Sequence, residues 1–315
     1  MSTLTIQRPD DWHVHLRDGE SLAAVAHFTA ERFGRAIVMP NLKPAITTTD
    51  LAAAYRTRIL DALPPGADFE PLMTLYLTDS TPPAEIDRAR ESGFVHGVKL
   101  YPAGATTHSA AGVTDIRRCD AVLARMEELG MPLLVHGETP GADIDVFDRE
   151  SHFIDTVLAG LLDSFARLKV VFEHITTARA VEFVRGARSG VAATITPQHL
   201  LHNRNAIFAG GIRPHYYCLP ILKRERDRLA LLDAAVSGSP RFFLGTDSAP
   251  HDRTTKENAC GCAGMFTAHA AIELYAEAFD QVGRLELRYD AFMEEFSTIL
   301  QRHSGRAAPS APGLG

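Results

Sequence analysis

The chain has 315 residues, of which 45% are hydrophobic, and it carries a net charge of -7. This size allows one large core, and the acidic balance without a clustered basic face argues against a nucleic-acid surface. No apolar stretch near the N-terminus is typical of a secretory signal and none could cross a bilayer, so we expect a soluble cytoplasmic protein.

Short apolar runs recur along the chain and predict eight β-strands. In chain order these are residues 11–16, 35–39, 71–77, 97–100, 132–136, 170–174, 192–196 and 242–246. Amphipathic segments between most of them predict helices at 21–33, 49–62, 83–92, 115–129, 154–168, 178–187 and 226–237. Gly34, Gly93 and Gly130 each follow a predicted helix, where a left-handed C-cap favours glycine.

This alternation of strands and helices predicts a parallel sheet, and eight units predict a closed (β/α)8 TIM barrel. The barrel is expected to form one domain over residues 1–303. Residues 304–315 are rich in proline and glycine and are expected to be disordered. In such a barrel the active site lies at the C-terminal ends of the strands.

Six side chains that can bind metal stand at those strand ends. They are His13, His15, Lys99, His136, His174 and Asp247. Each has an ordinary alternative: a buried histidine can be a core residue, the lysine can pair with a carboxylate, and the aspartate can cap a helix or a turn. Because five different strands all end on a suitable group, the joint pattern favours a metal centre.

The number of candidate ligands indicates two metal ions. Six ligands exceed the set that a single catalytic zinc with an open position uses. Two-metal hydrolytic sites share ligands between ions roughly 3.5–4 Å apart. An ammonium group cannot bridge two cations, whereas a lysine converted by carbon dioxide to a carbamate offers two anionic oxygens.

Several motifs together resemble the dihydroorotases of the bacterial single-function type, within the amidohydrolase superfamily. The resemblance runs from about residue 8 to about residue 278. It rests on RPDDWHVHLRDG at 8–19, AIVMPNL at 36–42, VKLYP at 98–102, LVHGE at 134–138, FEHITT at 172–177, TPQHL at 196–200, GTDSAPH at 245–251 and CGCAG at 260–264.

This resemblance implies a homodimeric enzyme of pyrimidine synthesis that interconverts N-carbamoyl-L-aspartate and (S)-dihydroorotate with two zinc ions per subunit. His13, His15, carboxylated Lys99 and Asp247 would surround one zinc. Lys99, His136 and His174 would hold the other, and a hydroxide would bridge the pair. Asp247 would also be the catalytic residue that moves the proton between the hydroxide and the leaving nitrogen.

The resemblance also implies a set of substrate-binding residues. Arg17, Asn41 and His251 would bind the substrate carboxylate, and backbone groups of Leu219 and Ala263 would hold the ring amides. Thr106 and Thr107 would close over the substrate on a mobile loop. Arg17 follows His15 by two residues, so it would share the face of the histidine pair if strand 11–16 continued through it.

Other residues of these motifs have simpler interpretations. Cys260 and Cys262 have no second cysteine pair nearby and are taken as a loop signature and not as a structural zinc site. Glu173 and His199 are expected to support the site or to be structural.

Two rival functions remain open at this stage. One is another cyclic amidase, such as a hydantoinase or allantoinase, against which Arg17 and Asn41 argue because those substrates lack the same carboxylate. The other is an inactive homologue, suggested by the C-terminal region. Family members usually continue through an Asn-Gly-Pro stretch and a Tyr-Gly-Leu-Pro motif, and neither occurs after Phe292. We expect a complete barrel with exposed apolar surface, lower stability and an altered dimer surface.

Overall fold

The computed structural model describes residues 5–285 and Phe292, and eight strands form its centre. They are β1 (Asp11–Val14), β2 (Arg35–Val38), β3 (Glu70–Tyr76), β4 (Val95–Leu100), β5 (Leu133–Val135), β6 (Val170–Phe172), β7 (Val191–Ile195) and β8 (Phe242–Leu244). Each strand pairs in parallel with the next, in the order β1 to β8.

Hydrogen bonds between β1 and the segment after β8 close the sheet. The Asp247 amide donates to the His13 carbonyl at 2.8 Å, and the His15 amide donates to the Ser248 carbonyl at 3.0 Å. A parallel bridge also joins Val14 to Ser248. The predicted (β/α)8 barrel is therefore confirmed, and its seam lies between two of the segments that carry predicted ligands.

Helices surround the sheet on the outside. They are α1 (Gly19–Arg32), α2 (Thr49–Asp61), α3 (Pro83–Ser92), α4 (Asp120–Leu129), α5 (Arg149–Phe153), α6 (Ala159–Ser164), α7 (Ala178–Gly186), α8 (Pro197–Leu201), α9 (Glu225–Ala235), α10 (Arg253–Lys256) and α11 (Ala271–Asp280). None of the helices in the described residues is long and apolar enough to cross a membrane.

Most predicted elements agree with the structure to within a few residues, and the clearest differences are in two helices and at Gly34. Helix 115–129 begins as a 3-10 turn, Ile116–Cys119, before α4. Helix 154–168 instead begins with α5, continues through a π-helical turn, Ile154–Leu158, and ends with α6. Gly93 and Gly130 are left-handed caps, with φ of 73° and 65°. Gly34 is not, because its amide donates to Pro9 and the chain enters β2 directly.

Two apolar layers follow from the alternation of side chains along the strands. Residues that face the helices form the larger cluster, and a smaller cluster fills the barrel interior with Trp12, Ile37, Met39, Leu72, Leu134, Val171, Ala192 and Phe243. Inward positions further along the same strands are polar. Thus Leu134 is followed two residues later by His136, Val171 by Glu173, and Phe243 four residues later by Asp247.

The C-terminal predictions lie largely outside the described residues. This holds for the expected disorder of residues 304–315 and for the expected exposed surface after Phe292. Phe292 itself is buried, with its ring centroid 5.6 Å from that of Tyr275 and 5.5 Å from that of Phe279 on α11. The division into a domain over 1–303 and a tail stays a prediction.

Candidate active site

Three predicted ligands converge at the barrel seam. His13 Nε2 lies 3.3 Å from His15 Nε2 and 3.3 Å from Asp247 Oδ1, and His15 Nε2 lies 3.1 Å from the same oxygen. A tetrahedral zinc with bonds of about 2.0–2.1 Å separates its ligand atoms by roughly 3.3 Å. The three atoms therefore have the spacing of ligands on one face of such an ion.

The local backbone explains how this cluster forms. Strand β1 carries a register irregularity between Asp11 and Val14, so His13 and His15 reach the site while Val14 joins the outer layer. Asp247 has φ of 47°, a left-handed conformation that turns the chain sharply after β8.

The buried Asp11 carboxylate holds the two sides of the seam together. It accepts hydrogen bonds from the His13 amide at 3.1 Å and from the amide and hydroxyl of Thr246 at 2.9 Å and 2.6 Å. Burial raises the pKa of Asp11 to about 6, against the opposing effect of these hydrogen bonds. This carboxylate thereby fixes the residues directly before Asp247 to the strand that carries the histidines.

Lys99 and Glu173 lie behind His13, and both are fully buried. Lys99 Nζ donates to Glu173 Oε2, and the other oxygen of Glu173 lies 3.1 Å from His13 Nδ1. Burial lowers the pKa of Lys99, with Glu173 acting in the opposite direction. Pairing with a carboxylate is the non-metal interpretation offered for Lys99. The same pair also places Lys99 next to the ligand cluster, because Glu173 contacts His13.

His136 and His174 complete the group of buried imidazoles. The His174 ring centroid lies 5.0 Å from that of His13 and 4.8 Å from that of His136. His136 Nε2 lies 3.0 Å from Glu138 Oε2, which leaves Nδ1 of His136 for a ligand. A carboxylate in this position fixes the tautomer of a metal-binding histidine. His174 Nδ1 is buried and has no hydrogen-bond partner in the part of the chain that the structure describes.

The electrostatics of the cluster suit a cation. Burial lowers the pKa of His15 to about 3 and that of His174 well below its usual value, so both imidazoles are neutral and offer lone pairs. Burial alone would raise the pKa of Asp247, but His13 and His15 lower it to about 2. Neutral histidines and an ionised aspartate are the donor set that zinc takes in hydrolases, so these residues fit the metal ions expected from the sequence.

A pocket opens above this cluster. It is lined by His13, His15, Arg17, Asn41, Tyr101, Thr106, Thr107, His136, His174, Leu219, Asp247, Ala249, Ala263 and Gly264. Every predicted substrate-binding residue except His251 is in this lining. His251 stands immediately behind it, 3.2 Å from Arg17 and 2.9 Å from the Ala263 carbonyl.

Arg17 lines the pocket, although the strand continuation on which its expected position depended does not occur. Strand β1 ends at Val14, and Arg17 has φ of 61°, so the strand does not continue through it. Its guanidinium is held by a hydrogen bond from Nε to the Pro250 carbonyl at 2.9 Å. His251 Nε2 cannot donate to Ala263 and also accept from Arg17 in one tautomer, so these two contacts are alternatives.

Asn41 connects the cluster of predicted ligands to the loop that covers it. Its side-chain oxygen lies 2.9 Å from His15 Nδ1, and its amide nitrogen donates to the Thr107 carbonyl at 3.1 Å. The Thr107 hydroxyl donates to the Ala263 carbonyl at 3.5 Å, and His108 Nδ1 lies 3.2 Å from the Asn41 carbonyl. The loop is therefore closed against both sides of the pocket.

His199 and the two loop cysteines belong to the same motifs, and none of them lines the pocket. His199 is buried, with Nδ1 2.6 Å from the Thr196 hydroxyl and Nε2 donating to the Pro220 carbonyl at 3.0 Å, which is a structural role. Cys260 and Cys262 are free thiols with sulfurs 3.6 Å apart on the loop before Ala263.

Glu173 supports the candidate ligand cluster, which is one of the two roles expected of it, and the strand pattern also carries a signal for this position. Glu173 contacts both Lys99 and His13. It lies two residues after the interior Val171, so alternation along the strand assigns Glu173 to the barrel interior. His174 would then face outward, and it enters the site only because its φ is 41°.

Comparison with known proteins assigns this chain to a family. The amidohydrolase family model matches residues 10–288. A dihydroorotase of Alkalilimnicola ehrlichii is 66% identical over 286 residues, covering 91% of this chain and 83% of the relative. A dihydroorotase of Cupriavidus metallidurans is 68% identical over 289 residues, covering 92% and 84%.

Several solved structures are also similar to this chain. Dihydroorotase from Campylobacter jejuni superposes with a TM-score of 0.85 at 37% identity, covering 94% of this chain and 84% of that one. The Saccharomyces cerevisiae dihydroorotase in complex with 5-fluoroorotic acid has a TM-score of 0.86 at 33% identity, covering 93% and 84%. An L-hydantoinase from Arthrobacter aurescens, with a TM-score of 0.79 at 17% identity and coverage of 94% and 71%, shares the fold.

Proposed function

This chain belongs to the amidohydrolase family and, within it, to the dihydroorotases, and on that premise we propose that it interconverts (S)-dihydroorotate and N-carbamoyl-L-aspartate in pyrimidine synthesis. The observation that carries the proposal is the joint pocket: a cluster of buried histidines and an ionised aspartate faces an arginine, an asparagine and a histidine. The first set suits amide hydrolysis, and the second suits a carboxylate-bearing substrate.

We propose that His13, His15, Lys99, His136, His174 and Asp247 hold two zinc ions, with Lys99 carboxylated. The ligand spacing at His13, His15 and Asp247 supports this, as does the orphaned ring nitrogen of His174. When bound, the zinc ions would polarise the scissile carbonyl and lower the pKa of the attacking water.

Asp247 is the proton carrier in this proposal. Its low pKa keeps the carboxylate ionised and able to accept the proton of the water that attacks the ring amide. The carbon–nitrogen bond of that amide then breaks, and the same proton goes to the leaving nitrogen, so that the ring opens to N-carbamoyl-L-aspartate. Ring closure uses the reverse transfers.

The substrate carboxylate is assigned to Arg17, Asn41 and His251. Arg17 and His251 lie 3.2 Å apart, so one carboxylate could contact both groups. Leu219 and Ala263 line the same pocket and would offer backbone groups to the ring amides. Thr106 and Thr107 form the covering loop, which would exclude water during turnover.

The nearest rival is a hydantoinase-type activity, and a direct comparison of substrates tests it. We expect ring opening of dihydroorotate to exceed that of hydantoin by at least about 1,000-fold in kcat/KM, because only dihydroorotate carries the carboxylate that the arginine binds. Equal turnover of both would reject the proposal in favour of a general cyclic amidase. No turnover of either by the zinc-loaded protein would favour the inactive homologue.

Assembly, location and domain extent are proposed on the family resemblance alone. We propose a cytoplasmic homodimer in which residues 1–303 form the single barrel domain. Light scattering of the purified chain at micromolar concentration tests the assembly. A single species with the mass of one chain would reject the dimer.

A further inference from the structure

Lys256, at the end of α10, is a buried lysine for which the proposed mechanism has no part. Its side chain is 4% exposed, although it belongs to a short surface helix. Its ammonium group donates to three backbone carbonyls: Tyr217 at 3.0 Å, Cys262 at 2.8 Å and Gly264 at 2.9 Å. These bonds use all three donors of the ammonium group.

No ion pair compensates the charge of Lys256 within residues 5–285. The adjacent Glu257 pairs instead with Arg253 at 2.8 Å and with His215 at 2.9 Å. Removing an ammonium group from water costs free energy, and here that cost is offset by neutral groups, the three carbonyl dipoles and the Tyr217 ring, whose centroid lies 5.9 Å from the ammonium nitrogen. Burial accordingly lowers the pKa of Lys256. An apolar side chain of similar length would avoid this cost, so the lysine needs another explanation.

The three carbonyls belong to the two backbone segments that line one side of the pocket. Cys262 and Gly264 flank Ala263, and Tyr217 lies two residues before Leu219. A further bond from the Gly264 amide to the Tyr217 carbonyl, at 3.0 Å, joins the same segments. The ammonium group therefore sits where the two segments meet and fixes their separation.

The planarity of the peptide bond gives this contact a direct consequence. The Cys262 carbonyl and the Ala263 N–H belong to one trans peptide unit, so they point in opposite directions. With the carbonyl held on the side of Lys256, the Ala263 N–H is directed to the other side of the unit. Among the described residues this N–H has no hydrogen-bond partner, while the Ala263 carbonyl is contacted by His251.

We infer that Lys256 is a positioning residue that orients the Cys262–Ala263 peptide and holds it at a fixed distance from the 217–219 segment, so that the Ala263 N–H faces the substrate. The ligand group that accepts from this N–H would be a ring carbonyl oxygen of a cyclic amide substrate. The ammonium also polarises the peptide through its carbonyl, which makes the Ala263 N–H a stronger donor. This inference rests on the proposed dihydroorotase function.

The test compares Lys256→Met with the matched variant Lys223→Met. Lys223 is also buried, at 3% exposure, and donates to one carbonyl, that of Ile221, at 3.0 Å, but among the described residues its ammonium group makes no hydrogen bond to either pocket segment. We expect Lys256→Met to raise KM for dihydroorotate by roughly tenfold or more while kcat falls less than about threefold, since ring contacts of similar strength in ground and transition states affect binding alone. Lys223→Met should change both by less than about twofold.

Two ligands separate ring binding from carboxylate binding. 5-Fluoroorotic acid, the ring ligand of the yeast relative, should bind Lys256→Met about tenfold more weakly by calorimetry. Inhibition by succinate, which has carboxylates but no ring amide, should be unchanged. Equal weakening of both ligands, or the same losses in Lys223→Met, would reduce Lys256 to general structural support and overturn the inference.

A further variant keeps the test decisive if Lys256→Met does not fold. Lys256→Gln keeps a neutral donor, so it should fold and give a KM between those of the wild type and Lys256→Met. A wild-type KM in Lys256→Gln, together with an unfolded Lys256→Met, would overturn the inference. If the zinc-loaded wild type did not open dihydroorotate while still binding 5-fluoroorotic acid, the proposed function would fail, and calorimetry would still test the lysine.

Discussion

The metal cluster and the substrate-facing rim share one pocket but are held in different ways. The cluster, formed by His13, His15, Lys99, His136, Glu173, His174 and Asp247, stands on strand ends and is almost fully buried. The rim, formed by Arg17, residues 106–107 and 217–219, His251 and Ala263, stands on loops and is half-buried, and most of its contacts go to backbone carbonyls.

This difference has consequences for function. A strand end in a closed sheet has little freedom, so the cluster can maintain ligand spacing within the tolerance of a metal site. The covering loop and Arg17 depend on individual side-chain hydrogen bonds to backbone carbonyls, such as those of Thr107 and Arg17, so this part of the rim can move as substrate enters and leaves. Changes in the cluster should therefore remove chemistry, and changes in the rim should alter substrate binding.

The largest effect is expected for Asp247→Ala. It removes both a ligand atom and the proposed proton carrier, so kcat should fall by at least about 1,000-fold while 5-fluoroorotic acid still binds through the rim. Steady-state kinetics and calorimetry measure the two quantities. A change confined to KM would assign Asp247 to the rim and contradict the comparison.

Lys99→Ala should be nearly as severe. Without the proposed carbamate bridge, the purified variant should lose most of its zinc and most of its activity. A small carboxylic acid added with zinc should restore part of the activity, because it supplies the missing bridging oxygens. Wild-type activity in Lys99→Ala would eliminate the two-metal arrangement.

Arg17→Met should weaken substrate binding and leave the zinc content unchanged, in contrast to Lys99→Ala. Loss of a charge-assisted contact to the substrate carboxylate should lower kcat/KM by roughly 10- to 100-fold, mainly through KM, with zinc content unchanged. Arg58→Met is the matched control, since Arg58 pairs with the nearby Asp18 at 2.8 Å outside the pocket. The control should remain within about twofold of wild type. Similar losses in both variants would argue against a specific carboxylate clamp.

The smallest effect is expected for Thr107→Val. It removes one hydroxyl, whose contact with the Ala263 carbonyl is 3.5 Å long, so kcat/KM should fall by about two- to tenfold. Thr114→Val serves as control, because Thr114 is exposed near the base of the same loop and its hydroxyl donates to the Asp79 carboxylate. A loss of several hundredfold in Thr107→Val would mean that the loop takes part in the chemistry.

The cluster was largely predictable from sequence, because periodicity placed its residues at strand ends. Alternation along β5 and β8 puts His136 and Asp247 inside the barrel once Leu134 and Phe243 are recognised as interior. Alternation could not predict the bulge in β1 or the positive φ of His174, because both are local departures from regular strand geometry.

The rim was predictable only by resemblance. Arg17 and Pro250 are 233 residues apart in sequence, and nothing in their local patterns indicates that they meet. The same holds for Lys256, which looks in sequence like an exposed lysine on a polar helix and is instead enclosed by three carbonyls. Such contacts depend on how loops from different βα units pack, and this is set by the whole barrel.

The central claim is that two zinc ions bound at the strand ends supply the chemistry, and a zinc titration tests it most directly. The chain is stripped of metal with a chelator, zinc is added back in steps, and dihydroorotate turnover is measured beside bound zinc per chain. The account predicts no activity without zinc and a plateau as binding reaches two ions per chain. Full activity in the stripped protein, or a plateau at one ion, would contradict it.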